Sequence, residues 1–246
     1  MKSPDANIST GPDSPEKASG VLYVVATPIG NLSDLSPRAV SVLKGADAIL
    51  CEDTRTSRKL LTRWDIPADS LHPYHEHNEK ELAPRLTDRI AAGARLAMIS
   101  DAGTPGLSDP GFRIVRECRR RGLPVIPIPG PNAAVASLCA SGLPTDAFFF
   151  AGFLPPKKAA RQRFFEAYRN FPHTVCLYES CHRIEKCLAD IVSTLGPDRT
   201  VAVCKELTKL HEKWLVGKSG EVLEKLQSLS RKGEFVVLIA SADYDL

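Results

Sequence analysis

The sequence predicts an α/β protein of two domains, and three observations carry that prediction. Short β-branched and aliphatic runs, "VLYVVA" (21–26), "DAILCE" (47–52), "RLAMIS" (95–100) and "PVIPIP" (124–129), each lead through a loop into a helical pattern, as buried parallel strands covered by helices do. "GLPTDAFFFAGFLPPKKAA" (142–160) then interrupts the alternation with glycine, prolines and a block of aromatics. A second α/β series follows, with strands expected near 174–178, 200–204 and 234–240. The boundary is placed near residue 145, which gives an N-terminal α/β domain over 20–144 and a C-terminal α/β domain over 145–246. With 246 residues and 43% hydrophobic content, the chain can fill two cores.

Taken in order, "MKSPDANISTGPDSPEKAS" (1–19) has almost no large apolar residue. It lacks the apolar centre of a signal peptide and is expected to be a disordered tail. After the first strand, "SPRAVSVLKGA" offers Ser36 as N-cap, Pro37 at the first helical position, Ala39, Val40 and Leu43 on one face, and Gly45 as the stop. Further helices are expected over 56–63, from Asp109 and Pro110 onward, and over "NAAVASLCAS".

Composition excludes several classes. No apolar run approaches the roughly 18 residues of a membrane-spanning helix, and the seven cysteines are scattered, odd in number and without a CxxC pair. A reduced, cytoplasmic protein without disulfides is expected. Cys181 and His182 are adjacent, but no second ligand pair stands at zinc spacing, so no metal is expected. The net charge of +3 is small, yet the cations cluster: Arg55, Arg58, Lys59 and Arg63; Arg119 to Arg121; Lys157, Lys158, Arg161 and Arg163. Such patches either hold phosphates or are solvated helix faces and dipole-favoured helix ends.

Ligands of open α/β sheets sit beyond the carboxyl ends of the strands. The loops there read "TPIGNLSD", "EDTRTSRK", "SDAGTPGLSDPG" and "PGPNAA", rich in residues that let backbone approach a bound molecule closely. Neither the dinucleotide fingerprint nor the P-loop is present, so a different nucleoside cofactor is expected.

The fragments "LYVVATPIGNLSDLSPRA", "CEDTRTSRKLL", "SDAGTPGLSDPG", "IPIPGPNAAVASLCASGLP" and "FFFAGFLPPK" resemble the bacterial methyltransferases that modify the ribose 2′-oxygen of a cytidine in the decoding centre of 16S ribosomal RNA, a group within the tetrapyrrole methylases. The resemblance runs from about Val21 to beyond "ELTKLHE" (206–212). It departs at Cys181, where the family pattern has proline, and at Lys205, where arginine is usual. Longer members carry a further helical C-terminal segment, so RNA affinity or ordering is expected to differ. The resemblance implies two α/β domains of the tetrapyrrole-methylase type with a cofactor cleft between them. It also implies S-adenosylmethionine as donor, 16S rRNA within the 30S subunit as acceptor, a homodimer, and no membrane association.

Residue by residue, it implies donor contacts from Pro28, Ile29 and Gly30, from Asp101, Ala102, Gly103, Thr104, Pro105 and Leu107, and from Pro129, Gly130 and Pro131. A ribose hydroxyl needs a proton acceptor, and the catalytic candidates are Glu52, Asp53 and Glu206, with Asp101 serving either as acceptor or as the cap of its own turn. RNA contacts are expected from Arg55, Lys157, Lys158, Arg161, Arg163, His182 and Arg183. Arg55 pairs either with a phosphate or with its neighbouring carboxylates. His182 is either a base or part of a helix N-terminus that closes the cleft. Phe164, Phe165 and Tyr168 are expected to be core. Two other functions share the fold: a tetrapyrrole C-methyltransferase, against which "EDTR" (52–55) and "YESCHR" (178–183) argue, and a non-catalytic ribosome-binding protein, against which the intact glycine-rich loops argue.

Overall fold

The computed structural model describes residues 20–230 and 232–246; the tail expected over 1–19 lies outside the described residues. Strands β1 (Val21–Val25), β2 (Ala48–Cys51), β3 (Leu71–Pro73), β4 (Arg95–Met98) and β5 (Val125–Ile128) form one wholly parallel sheet in the order β3-β2-β4-β1-β5. Connections from the central strands β1 and β4 leave in opposite directions, which opens a crevice at their carboxyl ends. There Thr27 and Gly103 exchange backbone hydrogen bonds of 2.8 and 3.1 Å.

Helices α1 (Pro37–Lys44) and α2 (Thr54–Arg63) cover one face, with Ala39, Leu43, Leu60 and Leu61 against Val25, Ile49 and Ala97. Helices α3 (Glu79–Ala91) and α4 (Phe112–Arg120) cover the other through Leu86, Ile90, Ile114 and Cys118. Ser36 caps α1 as expected, accepting from the Ala39 amide at 3.1 Å. The start of α4 differs from expectation. Asp109 and Pro110 lie outside the helix, and Gly111 is its N-cap, at φ 136°. A Cβ there would stand 2.7 Å from Met98 Cε, so both the conformation and the space require glycine.

The second sheet is mixed. Strands β6 (Phe148–Phe153), β7 (Thr174–Ser180), β8 (Thr200–Lys205), β9 (Lys213–Lys218) and β10 (Glu234–Ile239) run in the order β6-β7-β10-β8-β9. Only β6 and β7 are parallel; the remaining pairs are antiparallel. The aromatic block read as an interruption supplies β6. One face is covered by α6 (Lys158–Ala167), α7 (Ile184–Leu195) and α8 (Ser219–Gln227). Phe165 is buried there, while Phe164 and Tyr168 pack with Phe149 and Phe171, so these aromatics are core as expected.

The other face is covered by α5 (Ala133–Ala140), whose Ala134 and Leu138 lie on Cys176, Ala202, Val236 and Leu238. The helix thus follows the first sheet in the chain but packs on the second. The expected boundary near 145 falls in the loop between α5 and β6.

Candidate functional site: a cleft between the two sheets

The carboxyl ends of the first sheet and the α5 side of the second sheet enclose a cleft of about 340 Å³. The first sheet's loops contribute Ile29, Asp101, Ala102, Gly103, Thr104, Leu107 and Asp109; the second contributes Phe153, Tyr178, Glu179, Leu207, Lys209 and Val236. Asn132 and Ala133 stand between them. The Tyr178 hydroxyl, which accepts from the Ala134 amide at 3.2 Å, ties the α5 N-terminus to β7 beside this space.

Of the twelve expected donor contacts, Ile29, Asp101, Ala102, Gly103, Thr104 and Leu107 line the cleft. The others shape the loops behind it. The Pro131 carbonyl accepts from Thr104 Oγ1 at 3.1 Å, and Gly130 lies so close to β1 that a Cβ would stand 3.0 Å from that of Ala26. At Gly30 a Cβ would come within 2.4 Å of Lys209 Cγ and 2.7 Å of Thr208 Oγ1. Only glycine lets the 207–209 segment of the second half seat on the first loop. Pro28 and Pro105 are buried.

The carboxylates differ sharply. Asp53 caps α2, accepting from the Arg55 amide at 2.8 Å and from Arg55 Nη2 at 2.6 Å, and these hydrogen bonds hold it down to about 2. Its own amide donates to Asp101 Oδ1 at 3.1 Å. Burial, reinforced by Asp101, pushes Glu52 up, and burial likewise raises Asp101. Asp109 is pushed up to about 6, chiefly by burial, with the Glu52 and Asp101 carboxylates adding to it. Glu206, at φ 54°, accepts from Lys209 Nζ and from the Glu234 amide, each at 2.9 Å. Burial raises its carboxyl, but the hydrogen bonds outweigh that and keep it low. It braces Lys209 and does not line the cleft.

Arg161 requires correction as an RNA contact, and Arg183 is already engaged inside the protein. Arg161 is 3% exposed, and Asp190 Oδ2 accepts from its Nε at 2.9 Å and its Nη2 at 2.6 Å. It joins α6 to α7 inside the second half, because a buried guanidinium needs a carboxylate partner. Arg183 makes a two-point pair with the buried Glu179, at 2.7 and 2.9 Å, and also donates to the Leu154 carbonyl. Lys157, Lys158, Arg163 and His182 are exposed, and Arg55 has an 88% exposed side chain although paired with Asp53.

Asp109, Tyr178, Asn132 and Lys209 are cleft residues that the motifs did not single out. For Asp109 the signal was its position in "SDPG", which reads equally as a helix opener. Tyr178 opens "YESCHR" (178–183), whose signal was read for Glu179, His182 and Arg183 instead. Among the described residues, no group of three or more His, Cys, Asp or Glu is placed to hold a metal, all seven cysteines are unpaired, and no helix is long and apolar enough to cross a membrane.

Comparison with known proteins agrees with this architecture. The chain is 46% identical over 220 residues to ribosomal RNA small subunit methyltransferase I of Halalkalibacterium halodurans, covering 89% of this chain and 75% of that protein. It is 43% identical over 228 residues to the protein of the same name from Escherichia coli O157:H7, covering 92% and 79%. A solved uroporphyrin-III C-methyltransferase of Thermus thermophilus shares the fold at TM-score 0.62 and 21% identity, covering 91% of this chain and 95% of that one. The structure of a diphthine synthase does so at TM-score 0.68 and 14% identity, covering 89% and 90%. The family model for tetrapyrrole (corrin/porphyrin) methylases matches residues 21–223, and the chain belongs to that family.

Proposed function

We propose that this chain uses S-adenosylmethionine to methylate small-subunit ribosomal RNA, at the ribose 2′-oxygen of a cytidine in the decoding centre. The carrying observation is the identity of 43–46% with proteins named ribosomal RNA small subunit methyltransferase I, joined to a cleft whose chemistry suits the donor. A volume of about 340 Å³ is in the range of small-molecule sites. Ile29, Leu107, Phe153 and Val236 offer apolar surface to a nucleoside, while Asp101 offers a carboxylate to its cationic or hydroxyl groups. When bound, S-adenosylmethionine supplies an electrophilic methyl group on a sulfonium.

The chain's own residues position the acceptor and take its proton. Asp53, held at about 2, is a poor base, and Glu206 is committed to Lys209. Asp109 lines the cleft and titrates near 6, which matches a proton acceptor working close to neutral pH. Glu52 stands beside it as a second carboxylate with a raised pKa. Arg55, Lys157, Lys158, Arg163 and His182 face solvent and are assigned to the RNA. The two units, 20–144 and 145–246, contribute opposite walls. The working context is the cytoplasm, with the 30S subunit as substrate and a homodimer as the active form.

The test is to incubate the protein with labelled S-adenosylmethionine and 30S particles lacking the modification, then map the label by nuclease digestion and mass spectrometry. Label on a cytidine ribose of the decoding region is expected. Donor binding with no label on RNA, but transfer to a tetrapyrrole, overturns the reading.

A further inference from the structure

Several runs of cationic residues stood out in the sequence, and the structure separates them by what their charges already touch. Around α4, Arg113 pairs with Glu79, Arg120 with Glu117 and Arg121 with Asp88, while Arg119 donates to the Val125 carbonyl and Arg116 lies over Phe112. That cluster is spent internally. On α2 the situation is reversed: Arg58, Lys59 and Arg63 are exposed, and no carboxylate lies within ion-pair distance of them among the described residues.

The helix also bears a cost for this arrangement. Its ten residues, "TRTSRKLLTR", contain no acid, and Arg55/Arg58, Arg55/Lys59 and Lys59/Arg63 stand at like-charge spacings of three or four, which are unfavourable on a helix surface. The macrodipole accounts for Arg63 in the last turn but not for Arg58 and Lys59 in the middle. The opposite face is ordinary core, through Leu60 and Leu61, so packing does not require the cations.

The location supplies the function. The Asp53 amide at the N-cap of α2 donates to Asp101, a wall residue of the cleft. From Arg55 to Arg63 the helix then runs about 12 Å, the length of roughly three to four stacked nucleotides. We propose that the exposed face of α2 bearing Arg58, Lys59 and Arg63 is a track for RNA phosphates, holding the strand that flanks the nucleotide placed in the cleft. This inference rests on the proposed RNA methylation and names the surface that engages the acceptor.

The experiment compares wild type with Arg58→Gln/Lys59→Gln/Arg63→Gln, using a fluorescein-labelled RNA hairpin of decoding-region sequence and unmethylated 30S particles, over a salt series. A charge-matched control carries Arg119→Gln/Arg120→Gln/Arg121→Gln. Loss of three phosphate contacts lowers the slope of log affinity against log salt by about 2, so between 50 and 200 mM salt the α2 variant loses about 20-fold less affinity than wild type. The control is expected to keep most of the wild-type slope. Donor affinity of the α2 variant stays at the wild-type value, its melting temperature equals or slightly exceeds that of wild type because the like-charge pairs are relieved, and methyl transfer shows a raised KM with kcat within about twofold. An unchanged slope in the α2 variant, or an equal drop in the control, overturns the track. So does an unchanged RNA slope with lost particle binding, which assigns the ridge to a particle protein. If wild type itself neither binds nor methylates RNA, the functional reading fails first, and the track with it.

Discussion

Replacing Arg161 by methionine removes one half of an ion pair whose two side chains are each 4% exposed. Asp190 then loses both of its guanidinium hydrogen bonds, at 2.9 and 2.6 Å, and the Pro156 carbonyl loses a third at 2.7 Å. Stranding a buried carboxylate in this way costs about 3–5 kcal/mol. For a chain of this size that lowers the melting temperature by about 6–20 °C. Calorimetric melting and urea titration read the loss, which should appear in the transition of the second half because α6 and α7 both belong there. The double variant Arg161→Met/Asp190→Leu removes both charges and is expected to recover most of the loss. RNA binding by the single variant, at a temperature where it is folded, should keep the wild-type salt slope. A melting temperature within about 2 °C of wild type, together with a shallower salt slope, would show that Arg161 faces solvent and touches RNA after all.

Three other perturbations probe the cleft and the charged strand end beside it. Asp109 titrates near 6 when folded against an ordinary 3.8, so the native state binds its proton more tightly and wild-type stability falls as pH rises between those values. Asp109→Asn is therefore expected to be more stable than wild type by about 1 kcal/mol at pH 8, after allowing for solvent screening, and equal to it only well below the unfolded value of 3.8. Its methyl transfer should drop about 100-fold and lose the rising limb near pH 6; an unaltered pH–rate profile excludes the residue as proton acceptor. Gly30→Ala places a methyl against Lys209 and Thr208 and is expected to weaken donor binding about 10-fold by calorimetry, a difference of about 1.4 kcal/mol; undiminished affinity means the 207–209 segment yields freely. Arg55→Ala should lower RNA turnover severalfold while sparing donor affinity, whereas an unaltered rate leaves Arg55 as no more than the partner of Asp53.

Local chemistry made much of the first sheet readable. "VLYVVA" and "RLAMIS" are apolar on both faces because both faces are covered, and Ser36-Pro37 marks a helix start by cap and ring geometry alone. The glycine- and proline-rich loops announced the cleft for the same reason, since their backbone conformations are written in their residue types. What escaped depended on distant partners. Whether Arg161 meets RNA or a carboxylate is decided by Asp190, 29 residues away on another helix. "FFFAGF" reads as an interruption until β7 lies beside it. Helix α3 carries Pro84 inside it, which blurs its helical signature. The raised pKa of Asp109 is set by the burial and the acids around it, none of which a dipeptide such as "DP" records.

The placement of α5 has a consequence for how the protein is made. The strands against which Ala134 and Leu138 lie come from β7, β8 and β10, so on a translating ribosome the helix emerges long before its resting place exists. Strand β10, the last of the ten described strands, sits at the centre of the second sheet, hydrogen-bonded on both sides. At about 5–20 residues per second, the roughly 100 residues between α5 and the end of β10 take about 5–20 s to appear. During that interval the first sheet is complete while α5 presents bare apolar surface. The nascent chain therefore passes through a half-built stage suited to chaperone capture, and the cleft closes only when the final strand slots in between its neighbours.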